Sequence, residues 1–114
     1  MSCGSQPEAL CPTGDNLCLV AEYGKQIAGQ PNNIDNYFRR ALIYQKVKNL
    51  DAAVVDCTKA LTIEPKDSRI YKLRGAVYFE QKQFVKAIDD FEKVTKLEPG
   101  ISENFRLFGE AYQA

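Results

Sequence analysis

The sequence predicts an all-α fold: a right-handed α-solenoid of antiparallel helix pairs, with about six helices. Three observations carry this. Pro31, Pro65 and Pro99 recur at a spacing of 34 residues. Laying residues 34–67 over 68–101 matches Tyr37 with Tyr71, Arg40 with Arg74, Tyr44 with Tyr78 and Lys48 with Lys82, then Ala53 with Ala87, Asp56 with Asp90, Lys59 with Lys93 and Glu64 with Glu98. Within a unit, apolar positions recur at helical spacing: Tyr71, Gly75 and Tyr78 mark one face, and Phe84, Ala87, Ile88 and Phe91 another.

The elements follow in order. Residues 1–15 read as a flexible polar lead. Residues 16–33 are a degenerate half repeat with one helix near 17–28, its pattern eroded at Gly24 and Gln26. The unit 34–67 holds helices near 34–47 and 51–62, and the unit 68–101 holds helices near 68–81 and 84–97. A half repeat, 102–114, carries a helix near 102–113. Proline cannot continue a helix, so Pro65 and Pro99 close their units. The turns inside each pair fall near Lys48–Asn49 and Lys82–Gln83.

Packing expectations come from residue size. Ala41, Gly75, Ala53 and Ala87 are small where helices must approach closely, and Tyr44 and Tyr78 fill the space beside them. Phe91 anchors its helix pair. Cys57 stands at the matching position one unit earlier and reads as a small buried apolar side chain. Arg40 and Arg74 are expected to pack through their stems while the guanidinium reaches water. The Lys and Asp residues of the second helices read as a solvated outer face. Phe105, Leu107, Phe108, Ala111 and Tyr112 have no following helix to cover them, so the C-terminal helix either turns them inward or self-associates through residues 105–112.

Composition narrows the function. The 114 residues are the size of one domain. Fifteen basic and fifteen acidic side chains balance, against a nucleic-acid binder or an acidic tail. His is absent, which removes the commonest general base and metal ligand. No apolar run approaches the ~18 residues of a membrane span. Asp89 and Asp90 are adjacent, so they point to different sides of a helix and cannot act as an acid–base pair. No glycine-rich phosphate loop or nucleophile–base constellation is present, and no enzyme is expected.

The four cysteines, Cys3, Cys11, Cys18 and Cys57, lack the spacing that wraps a zinc ion. Three of them fall in the first 18 residues, outside the repeats. That placement points to an oxidising compartment in which Cys11 and Cys18 are the candidate disulfide.

The second unit's Tyr71, Arg74, Gly75, Tyr78, Ala87, Phe91 and Pro99 resemble the tetratricopeptide repeat. The first unit carries the same pattern as Tyr37, Arg40, Ala41, Tyr44, Ala53, Cys57 and Pro65, and Phe105, Phe108, Gly109 and Tyr112 begin a third. The resemblance implies a protein-interaction scaffold, without a cofactor, whose first helices line a concave groove for a partner peptide or helix. The groove residues it implies are Asp35, Phe38, Arg39, Leu42 and Gln45, then Arg69, Lys72, Leu73, Ala76 and Phe79, and finally Glu103, Arg106 and Glu110. Phe38, Leu42 and Phe79 are its apolar anchors; Arg39, Arg69 and Lys72 select a segment carrying acidic residues. One branch of the family grips a chaperone's C-terminal carboxylate with Lys and Asn on the first such helix. Phe38 and Leu42 at the matching positions argue against that clamp here.

Ser2-Cys3-Gly4-Ser5 resembles the junction of a bacterial lipoprotein, with Cys3 as the candidate lipidation site. The alternative function is therefore an envelope lipoprotein, periplasmic or anchored to the outer membrane, acting as an assembly or pilot factor. No apolar signal segment precedes Cys3, so this reading requires that Met1 follow its removal. The competing reading is a cytoplasmic protein with free thiols.

Overall fold

The structure, a computed structural model, describes residues 10–100. Within them lie five helices: α1 Asn16–Gly29, α2 Ile34–Lys46, α3 Leu50–Ile63, α4 Ser68–Glu80 and α5 Phe84–Leu97. Among the described residues there is no strand. The expected sixth helix lies outside them, with Cys3, Glu103, Arg106, Glu110 and the proposed self-association segment 105–112.

Two kinds of start alternate along the chain. Asp15, Asn33 and Asp67 cap α1, α2 and α4 by accepting the backbone N–H of Cys18, Asp35 and Arg69. Each side-chain oxygen thereby satisfies a donor the helix leaves open. By contrast, α3 and α5 begin without a side-chain cap, straight out of tight turns. In those turns Lys48 and Lys82 adopt φ of 67° and 62°. Asn49 N–H then donates to Tyr44 C=O, and Gln83 N–H to Tyr78 C=O, both at 2.8 Å. This is the left-handed helix stop usually given to glycine. It folds α2 onto α3 and α4 onto α5.

The prolines do more than end helices. The Tyr37 phenol donates to Pro31 C=O at 3.0 Å, and the Tyr71 phenol to Pro65 C=O at 2.9 Å. Each first helix is thereby tied to the loop before it, which explains why tyrosine and proline share one period.

The core runs between successive helices through Tyr37, Ala41, Ala53, Cys57, Ile70, Val77 and Val94. Size matching is visible at one repeated contact. A Cβ on Gly75 would lie 2.5 Å from Phe91 Cε1, so glycine is what lets the ring come this close to α4. One period earlier, Ala41 faces the smaller Cys57, and both are fully buried.

Burial also pushes the Cys57 thiol up to about 12 from an ordinary 9.0. Because the folded value is the higher one, the neutral thiol's contribution is complete below pH 9. It is lost as pH rises toward 12, where the unfolded chain ionises first. We expect stability to fall above pH 9 by up to about 1.4 kcal/mol per pH unit from this group. A Cys57→Ala variant in urea titrations should show a shallower decline; an unchanged slope would contradict the assignment.

Two sequence expectations are corrected. The guanidinium groups of Arg40 and Arg74 do not reach out to bulk water. Arg40 forks onto Asp56 at 2.8 and 2.7 Å, and Arg74 forks onto Asp90 at 2.8 Å through both nitrogens. Asp56 and Asp90 are accordingly buried inside the hairpins and not on a solvated face. The fork holds both arginines still further toward their charged form, against the opposing pull of burial. Such bidentate pairs fix angle as well as distance, so each sets how its two helices cross.

At the N-terminal side, Cys11 and Cys18 are joined, with Cα atoms 5.7 Å apart. The bridge ties the segment before α1 to its first turns.

Candidate partner-binding face

Most of the groove residues implied by the sequence lie on α2 and α4, which sit side by side. Their adjacency is fixed by polar links that each span about one period. Arg69 reaches Asp35 at 2.6 Å. Glu80 accepts from Gln45 at 2.7 Å and from Lys48 at 2.9 Å. These links lie at opposite ends of the two helices and hold them in register.

Between the links the face is partly apolar. Leu42 is 40 % exposed, and Phe38, Ala76 and Phe79 are half-buried. The Phe38 ring is covered on one side by the Arg69 guanidinium, 4.8 Å from its centroid. Phe79 leans edge-on against Phe84 at 5.3 Å, which locks its ring to the start of α5. Rings held in this way lose little freedom when a ligand covers them.

The charges on this face are largely spoken for. Arg69 pairs with Asp35 and Asp67, and Lys72 pairs with Glu98 at 3.2 Å. Arg39 is exposed and makes no ion pair among the described residues. The sequence singled out Arg69 and Lys72 but not Asp67 and Glu98, the carboxylates that occupy them together with Asp35. Exposed pairs of this kind exchange partners at little cost, so an incoming acidic group competes for Arg69 and Lys72 while Arg39 is open to it.

Leu73 departs from the expected set. It is 7 % exposed and belongs to the core, so it supports the face from beneath. Arg106 lies outside the described residues. Among those described, no cluster of metal-ligating side chains comes together, and no helix is long and apolar enough to cross a membrane.

Comparison with known proteins gives a consistent picture. The family model of the tetratricopeptide repeat matches residues 34–67 and 68–100. A search of curated protein sequences finds no match. Among solved structures, the first TPR domain of Spaghetti (RPAP3), bound to the HSP90 peptide SRMEEVD, is similar at 27% identity and a TM-score of 0.83. That match covers 88% of this chain and 79% of the other. The second TPR domain of human RPAP3, in complex with the HSP70 peptide SGPTIEEVD, is 26% identical with a TM-score of 0.81, over 87% of this chain and 82% of its own. MamA superposes with a TM-score of 0.85 at 18% identity, covering 99% of this chain and 64% of that one, a likeness of fold alone.

Proposed function

Because this chain belongs to the tetratricopeptide repeat family, we propose that it is a protein-interaction scaffold whose α2–α4 face binds an extended partner segment carrying acidic residues. The observation that carries the reading is the face itself: Phe38, Leu42 and Phe79 flanked by Arg39, Arg69 and Lys72. Both RPAP3 domains were solved with peptides ending in Glu-Glu-Val-Asp, which supports a ligand of this charge. Apolar anchors carry most of the affinity of such a face, and exposed cations act mainly on the association rate.

The test uses a labelled SRMEEVD peptide with an amidated C-terminus as probe in fluorescence anisotropy, because Phe38 and Leu42 offer no clamp for a free terminal carboxylate. Phe79→Ala should weaken binding by at least about fivefold, the ~1 kcal/mol that marks a contributing contact. Arg39→Ala should act chiefly on the on-rate and its salt dependence. Normal binding by Phe38→Ala/Phe79→Ala would refute the reading.

A further inference from the structure

Beside that face, roughly a third of a turn around α4 from Lys72, Ala76 and Phe79, lies a second stripe made by Tyr71, Arg74 and Tyr78. Arg74 binds Asp90 on α5 and donates to Thr58 Oγ1 on α3 at 3.2 Å, so the stripe forms a floor between α3 and α5. Two hollows open on it. One, of about 220 Å³, is walled by Pro65, Tyr71, Lys93, Lys96 and Leu97. The other, of about 240 Å³, is walled by Arg74, Tyr78, Lys86, Asp89, Asp90 and Lys93. They share Lys93 and make one trough.

Its rim is basic. Lys93 lies 5.8 Å from the Tyr71 ring and Lys86 5.5 Å from the Tyr78 ring. Neither they nor Lys96 form an ion pair among the described residues, whereas Lys25, Lys48 and Lys72 do. Arg74 already answers Asp90, which leaves three ammonium groups against Asp89. The fold does not require the whole rim. One period earlier Lys59 keeps the place of Lys93, but Ala52, Val55 and Thr62 stand in place of Lys86, Asp89 and Lys96, although the tyrosines, the arginine and its aspartate all repeat.

We propose that this trough is a second docking surface, which takes a short acidic peptide segment led by one apolar side chain. The apolar side chain enters the hollow between Pro65, Tyr71 and Leu97. The carboxylates that follow it meet Lys93 and then Lys86. These two lysines are two turns apart on α5, roughly 10 Å, the length of about three extended residues.

The probe is acetyl-Leu-Glu-Glu-Glu-amide, which has no free C-terminal carboxylate. It is titrated into the ¹⁵N-labelled full chain and followed by chemical shift. Shifts should gather on Tyr71–Tyr78 of α4 and Lys86–Lys96 of α5. Lys86→Glu/Lys93→Glu should weaken binding at least tenfold, and Asp89→Asn should tighten it severalfold. Lys25→Glu/Lys46→Glu, away from the trough, should change affinity less than twofold. Leu42→Ala, on α2 and outside the trough, should leave this titration unchanged, which separates it from the α2–α4 reading. Shifts spread over the molecule, or equal weakening by both pairs of charge reversals, would overturn the proposal.

Discussion

Phe91→Ala should lower the unfolding free energy by about 3–5 kcal/mol, the range for removing a buried aromatic ring. Phe91 is 3 % exposed and packs with Ala87 against Tyr78, Phe79 and Ile88. Its ring also lies where a Gly75 side chain would be. Truncation therefore removes the ring from a contact already cut to the smallest residue on the other side, and glycine has nothing with which to fill the space. Urea denaturation followed by circular dichroism measures the loss, and a value under about 1 kcal/mol would contradict the packing. The reverse change tests the same contact. Gly75→Ala overpacks it at a cost of about 1–3 kcal/mol, offset by about 1 kcal/mol of helix propensity. Combined with Phe91→Cys, which recreates the Ala41–Cys57 pair of the first repeat, the cost should be smaller than the sum of the two single changes.

Arg74→Met should cost about 3 kcal/mol, since it leaves the Asp90 carboxylate buried without its fork. Asp90 is 2 % exposed, and Arg74 supplies both of its charged bonds. The single change is costly because the residual charge must be desolvated alone. Arg74→Met/Asp90→Leu removes both charges and should recover most of the loss, because apolar replacements of buried pairs are often neutral or better. Thermal unfolding of the three proteins separates these outcomes. A double variant no more stable than Arg74→Met would show that the pair does more than balance itself.

The helices and their turns were legible because each depends on residues close in sequence. The expected helix near 34–47 is found at Ile34–Lys46, and that near 84–97 at Phe84–Leu97. Lys48 and Lys82 mark the turns, and the 34-residue period supplies a second copy of every local signal. Side-chain size told equally well: Gly75 and Phe91 are as small and as large as their contact requires.

What sequence by itself determined, then, is the repeat, its helices and the alternation of small and large residues at their crossings, all consequences of helical period and steric bulk. Tertiary structure alone decided where the charges go. Arg40 and Asp56 are 16 residues apart and meet only once the α2–α3 turn has closed. That both members recur one period later was visible in the chain, yet a charged residue on a helix carries no label saying whether water or a carboxylate will face it. The same holds for Arg69 and Lys72, whose partners Asp35 and Glu98 arrive from α2 and from the end of α5, and for Leu73, which a difference of one helical position takes from the groove into the core. Coulomb attraction acts through space between elements, and their placement is settled by packing that no local window contains.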